Sequence, residues 1–190
     1  MTMDVDPAAA ASSGSGTSQP DVAIPTPRPS LRLFWWVAFA VVVLDQVSKA
    51  LIRARLPLYD SKAVVPGFLD LVHVHNAGVA FGLLNDVTHP LRSLATTTLA
   101  IVALIGIAFY ARHIREDEHL ARVGLSFILG GAVGNLADRL RQGFVVDFVD
   151  VYWRDWHFWA FNVADAAITV GAILIFLDLL FPRRHASHSV

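Results

Sequence analysis

The sequence predicts a mainly α integral membrane protein, with four transmembrane helices and a small β-sheet beside them. Three observations carry that expectation. Of 190 residues, 55% are hydrophobic and only 16% charged, whereas soluble domains carry about 25% charge. Four apolar segments approach or reach the roughly 20 residues that a helix needs to cross a bilayer core of about 30 Å. The five tryptophans cluster near segment ends, with Trp35 and Trp36 in one group and Trp153, Trp156 and Trp159 in another, as interfacial aromatic belts do.

The elements follow in order. Residues 1–30 hold Pro7, Pro20, Pro25, Pro27 and Pro29 in an Ala/Ser/Gly/Thr background without an aromatic residue. Such a stretch buries too little to offset its ordering entropy, so it is expected to be a disordered tail. It lacks the charged-then-apolar order of a cleavable secretory signal. The first span is expected over about 33–52. The second, 94–111, is free of charge and has no polar face, which argues against soluble helix packing. The third is expected over 119–137 and the fourth over about 160–181, the latter containing Asp165 and Asp178. The membrane-embedded unit is thus expected to cover 31–182, and 183–190 to form a short C-terminal tail.

Between the first two spans, Pro57, Pro66–Gly67 and Pro90 mark turns. Phe68 to His75 partly alternates, with Val72 and Val74 set against His73 and His75, a strand-like pattern. A Gly78-x-x-x-Gly82 stretch follows. Val145 to Tyr152 also has β-type composition. Both stretches lie on one side of the membrane, so a small sheet is expected within about 57–85 and 143–156. It cannot lie in hydrocarbon, where its edges would be unsatisfied.

Four spans put both termini on one side. Charge does not say which side. Arg28, Arg32, Arg112, Arg115, Arg122, Arg183 and Arg184 lie on the terminal side, against Arg53, Arg55, Lys62, Arg92, Arg139, Arg141 and Arg154 on the other. Arg183–Arg184 after the last span leans towards a cytoplasmic C-terminus. A net charge of -1 gives no field for a nucleic-acid partner. The absence of cysteine excludes a disulfide framework, a thiol nucleophile and a Cys-based metal site.

Ionisable residues inside spans are functional candidates. Asp45 and Lys49 are four apart on one helix face and can pair, a structural ion pair being the plainer reading. Ser48 beside Lys49 points about 100° away from it, which disfavours a Ser–Lys protease. The tetrapeptide Asn-x-Ala-Asp occurs twice, as Asn135 to Asp138 and as Asn162 to Asp165. The two copies fall at the end of the third span and the start of the fourth, at one membrane surface. Asp138, Asp147 and Asp165 therefore converge, with Asp150 as a weaker fourth. Two carboxylates in contact cannot easily both ionise, so the pair holds one proton near neutral pH. Such a pair serves as base to a water and acid to a leaving amine. Asp147 in Val-Val-Asp-Phe-Val and Asp165 in Ala-Asp-Ala are the expected pair. Asp138, beside Arg139, is expected to remain ionised, with Asn135 and Arg139 completing a supporting shell. His73 and His75 face one way but lack an obvious third metal ligand, and read as a solvated strand face. His113, His119, His185 and His188 read as solvated residues, and Asp178 as a helix-end residue. Gly130-x-x-x-Gly134, with Gly131, is a face for close helix packing.

These residues resemble the bacterial lipoprotein signal peptidase, or signal peptidase II, family. The likeness runs through Asp45-Gln-Val-Ser-Lys49, His75-Asn-Ala-Gly-Val-Ala-Phe-Gly82, Gly130 to Arg139, Val145-Val-Asp-Phe148 and Phe161 to Ala166, in order and at family-like spacing. The resemblance implies a four-span aspartyl endopeptidase of the bacterial cytoplasmic membrane, with both termini cytoplasmic and an extracytoplasmic β-cradle. It implies cleavage of diacylglyceryl-modified prolipoproteins before the lipidated cysteine. It places catalytic roles on Asp147 and Asp165. It places active-site support on Asp45, Lys49, Asn76, Asn135, Asp138, Arg139, Asn162 and Ala164. Expected partners are lipid-modified prolipoproteins, membrane lipids and the cyclic-peptide inhibitors of the family; no cofactor or metal is expected, and the chain is expected to act as a monomer. The competing classes are a small transporter or proton-relay protein, which also places Asp and Lys in spans, and an inactive lipoprotein-binding module.

Overall fold

The computed structural model describes residues 31–78, 89–114 and 118–181. The two tails, Gly82, Arg115, the Arg183–Arg184 pair, His185 and His188 lie outside the described residues. The order of elements is α1 (Leu31–Arg55), β1 (Ser61–Val65), β2 (Leu69–Asn76), α2 (His89–Ala111), α3 (His119–Gln142), β3 (Val145–Trp153), β4 (Trp156–His157) and α4 (Val163–Leu180). All four helices are long and apolar enough to cross a membrane.

Helix boundaries differ from the apolar segments for physical reasons. α1 runs on to Arg55 and α3 to Gln142, because charged last turns can stand beyond the hydrocarbon. Arg139 and Arg141 in the last turn of α3 also complement the negative helix end. Gly143 stops α3 in the left-handed conformation at φ 80°, its N–H bonding the Arg139 carbonyl, the glycine C-terminal signal. α4 starts at Val163 and not at 160. Asn162 caps it: its side chain accepts from the Asp165 N–H, and Asp165 accepts in return from the Asn162 N–H. This capping box fixes the first turn.

α3 is the hub of the bundle, packing on α1, α2 and α4. Its glycines work on two faces. A Cβ at Gly124 would strike the Gly171 carbonyl, and one at Gly131 the Ala164 carbonyl. These positions are seven apart on each helix, so α3 and α4 touch backbone to backbone over two turns. On the other face, a Cβ at Gly130 would meet Ala38 and Val41 of α1, and one at Gly134 would lie 2.6 Å from Asp45 Oδ2. The expected small-residue face is thus split between two neighbours.

The strands form one antiparallel sheet in the order β1-β2-β3-β4. Val65-Pro66-Gly67-Phe68 joins β1 to β2 by a turn with Gly67 at φ 82° and a Phe68 N–H to Val65 carbonyl bond of 3.0 Å. Proline followed by a positive-φ glycine is the type II pattern. β2 carries a bulge between Leu71 and Val74. Beyond it, Val74 pairs with Asp147 and Asn76 with Val145. The bulge sets which β2 side chains stand beside Asp147.

Candidate active site

Asp147, from β3, is 2% exposed. Its Oδ2 accepts from Asn76 Nδ2 at 2.9 Å, and its Oδ1 from Asn162 Nδ2 at 2.7 Å. Asp165, at the third position of α4, accepts from Asn135 Nδ2 at 2.8 Å and from the Asn162 backbone N–H at 3.3 Å. Asn162 therefore bridges the two acids, giving its side-chain amide to one and its main chain to the other. Burial and the neighbouring Asp165 charge push the Asp147 carboxyl up to about 7, against the opposing pull of Asn76, Asn162 and Lys49. Near neutral pH Asp147 is thus poised between its protonated and ionised forms.

Behind the pair lies a buried ionic network. Lys49 Nζ donates to Asp45 Oδ2 at 2.8 Å and to Asn135 Oδ1 at 2.9 Å. It lies 2.8 Å from Asp138 Oδ2 as a close ion contact without an aligned hydrogen bond. Because Asn135 Oδ1 accepts from Lys49, its NH2 group is turned to Asp165. The orientation of that amide, and with it the position of Asp165, is set by the lysine. Asp45 Oδ1 accepts from the Ala164 N–H at 3.0 Å, so α1 holds the first turn of α4. Ala164 itself is fully buried, between Asp45 and Gly131.

Several expectations change. Asp138 takes its cation from Lys49, and not from Arg139 next in sequence, since consecutive helical residues diverge. Arg139 instead donates weakly, at 3.4 Å, to the Asn135 carbonyl. Asp150 is apart from the site, paired with His157 at 2.9 Å. Ser48, already disfavoured as a nucleophile by its spacing from Lys49, donates to the Asp45 carbonyl at 2.9 Å. His73 is not solvated. It is 6% exposed, with Nδ1 2.9 Å from the Leu56 carbonyl. His75 stacks on Phe144 at 3.7 Å, and burial, His73 and Arg53 hold its imidazole below the ordinary value. No group of three or more metal-ligating side chains occurs among the described residues. Asp178 lies in the last turn of α4.

Gln46 was not singled out by sequence reasoning. Its Nε2 reaches Asp45 Oδ2, Asp138 Oδ1 and the Gly134 carbonyl, each at 3.2 Å, while its Oε1 accepts from Arg141 at 3.0 Å. Its only signal was its place between Asp45 and Lys49.

An apolar four-helix bundle whose polar side chains gather at one end around two bridged acids has the architecture of a membrane-embedded enzyme. Two solved bacterial membrane enzymes share it. One is 30% identical with a TM-score of 0.72, covering 84% of this chain and 94% of its own. The other is 31% identical with a TM-score of 0.70, covering 80% and 95%. The pattern that defines signal peptidase (SPase) II matches residues 37–181. Among curated relatives, the lipoprotein signal peptidase of Geobacter metallireducens is 44% identical over 160 residues, spanning 84% of this chain and 98% of the relative. That of Solibacter usitatus is 44% identical over 167 residues, with the same coverage, and that of Pseudomonas aeruginosa is 41% identical over 155 residues, spanning 80% and 91%. The chain belongs to the signal peptidase II family, peptidases that remove signal peptides from lipoprotein precursors.

Proposed function

We propose that the chain is an aspartic endopeptidase that cleaves diacylglyceryl-modified prolipoproteins before the lipidated cysteine, with Asp147 and Asp165 as its catalytic pair. The observation that carries this reading is the bridging of the buried Asp147 and the part-buried Asp165 by Asn162 at the start of α4. A shared proton needs two carboxyls in one desolvated place, and Asp147 has that environment. The ionised partner takes a proton from a water as the water's oxygen attacks the scissile carbonyl. The proton held by the pair passes to the nitrogen as the peptide bond breaks.

The tetrahedral oxyanion needs a donor. The Asn162 amide is already committed to Asp147 and Asn135, and Asn76 gives its NH2 to Asp147 while its Oδ1 accepts from the Gly78 N–H at 3.0 Å. Arg139 is best suited, because the one hydrogen bond of its guanidinium among the described residues is the weak one to the Asn135 carbonyl. Asp45, Lys49, Asn135 and Asp138 are positioning residues in this scheme. Substrate acyl chains stay in the bilayer and enter sideways between helices. The domain spans 31–182 with cytoplasmic tails on either side, in the bacterial cytoplasmic membrane, and works as a monomer open to the cyclic-peptide inhibitors of the family.

The test is cleavage of a diacylglyceryl-modified precursor by the purified full chain in lipid. Release of a fragment ending just before the modified cysteine, blocked by such a cyclic peptide, is expected. Cleavage elsewhere, or equal cleavage of the unmodified precursor, overturns the substrate assignment.

A further inference from the structure

Gln46 stands between the buried ionic network and the surface. It is half-buried on α1, and its side chain crosses to α3. Its Oε1 accepts from Arg141 at 3.0 Å, while its NH2 group faces Asp45 Oδ2, Asp138 Oδ1 and the Gly134 carbonyl, each at 3.2 Å. The chemistry of the neighbours allows only this orientation. A guanidinium offers donors alone, and ionised carboxylates and a carbonyl offer acceptors alone. A flipped amide would set oxygen against oxygen and N–H against N–H. Arg141, exposed in the last turn of α3, therefore helps fix which way the amide points. Gly134 permits the close approach, since a Cβ there would meet the Asp45 carboxylate.

Asp138 depends on that amide. It is buried, and among the described residues its one aligned hydrogen bond comes from Gln46. Its other oxygen, 2.8 Å from Lys49, lacks such a bond. The lysine gives its aligned bonds to Asp45 and Asn135. A buried carboxylate left without its donor is costly, and a bond from an ammonium to a carboxylate is stronger than one to an amide oxygen. Lys49 is thus shared between Asn135 and an acid that competes for it.

We propose that Gln46, oriented by Arg141, is a positioning residue for the reaction: it satisfies Asp138, so that Lys49 stays on Asn135 and Asn135 stays on Asp165. Without the Gln46 amide, the ammonium turns from Asn135 to Asp138. Asn135 Oδ1 then keeps only the 3.3 Å contact from Asn162 Nδ2, and the 2.8 Å bond from Asn135 Nδ2 to Asp165 loses its anchor. An exposed arginine thereby governs an acid on a different helix. The inference rests on the reading of Asp147 and Asp165 as the catalytic pair. Among the described residues, neither Gln46 nor Arg141 hydrogen-bonds to either member of that pair, so the effect falls on turnover and not on substrate binding.

The test measures kcat and KM for a diacylglyceryl-modified precursor with the full chain reconstituted in lipid, and thermal unfolding of the same samples. Gln46→Met removes the amide. Gln46→Glu keeps the shape and gives Arg141 a carboxylate, but takes the donor from Asp138. Each is expected to lower kcat about 10- to 100-fold, the scale of a displaced catalytic group, with KM held within about twofold. Arg141→Met frees the amide to turn and is expected to lower kcat about threefold to tenfold, the worth of one hydrogen bond. Arg141→Lys should recover part of that loss. In the Gln46→Met background, Arg141→Met is expected to change nothing further, because the arginine acts through the amide. Parental kcat in Gln46→Glu overturns the proposal, since the residue then only ties α1 to α3. So do additive losses in the double variant, and a change confined to KM, which sets Arg141 against substrate. Should the Gln46 variants fail to fold, Arg141→Met alters an exposed side chain and decides alone, parental kcat overturning the proposal. Asp165→Asn in the same assay separates the two readings. Full turnover there removes the catalytic pair and the positioning role with it. Its loss beside parental kcat in Gln46→Met removes the positioning role alone.

Discussion

α2 and α3 have nearly the same length, 23 and 24 residues, and both qualify as membrane spans, yet they do opposite work. Among the described residues, α3 packs on every other helix, while α2 packs on α3 alone. α3 buries Gly124, Gly130, Gly131, Gly134, Asn135 and Asp138, whereas α2 leaves Leu94, Leu99, Val102, Ile105 and Phe109 exposed. In hydrocarbon, leucine gains nothing from leaving lipid for protein, so close packing falls to small residues and hydrogen bonds. Apolarity therefore tells which helices cross the membrane. Small and polar residues tell which one organises the site.

The largest contrast concerns chemistry. Asp147→Asn and Asp165→Asn are expected to lower precursor cleavage about 10²–10⁴-fold, the usual share of general acid–base groups, in protein that still inserts. Val102→Ala on the exposed face of α2 should leave the rate unchanged. Near-normal turnover by either Asn variant breaks the assignment and moves the test to Asp138. The pH profile sharpens it. Asp147 has its carboxyl raised to about 7, so the required proton is present below that value. Cleavage rate should fall as pH rises through about 7, approaching tenfold per unit above it; a rate still rising at pH 8 contradicts a shared proton.

Next in size is the ionic network. Lys49→Met leaves Asp45 and Asp138 buried without their cation, and breaking such a network costs about 3–5 kcal/mol. Unfolding of the reconstituted variant should report a loss of that order, and a loss below about 1 kcal/mol would mean that the lysine does not hold the helices together. The smallest effect is the most direct comparison of the two helices. Gly131→Ala in α3 drives a methyl into the Ala164 backbone, an overpacking expected to cost about 1–3 kcal/mol. Gly106→Ala in α2 meets nothing within 4 Å, and should stabilise by about 0.5–1 kcal/mol through helix propensity. Equal effects at the two glycines, measured by thermal unfolding, would erase the distinction.

Hydropathy made all four spans legible, because a run without charge has few alternatives to lipid. Its limits lay at the ends, where Arg53, Arg55 and Asp138 to Gln142 stay helical past the apolar run. The Asn-x-Ala-Asp repeat was legible as a motif, but not as two different devices. Asn162 and Asp165 close a capping box, while Asn135 and Asp138 lie inside a helix and reach Asp165, Lys49 and Gln46. Two copies of one pattern differ here because only the second begins a helix. The meeting of Asn76 with Asp147 depends on the β2 bulge, and a bulge is settled by pairing across strands. Gln46 escaped notice for a like reason: its three acceptors come from two helices, and no spacing along the chain announces them.

The bond from Asp45 to the Ala164 N–H, with Lys49 and Asn135 behind it, ties the opening helix of the chain to its closing one. Asp165 gains its amide partner only when the final helix reaches its place beside the first and third. A nascent chain with three helices inserted has the lysine and its counter-ions in hand but lacks the second acid altogether. If Asp147 and Asp165 are the working pair, competence waits for the fourth helix, and a product truncated before it lacks Asp165 and should be unable to cut its neighbours.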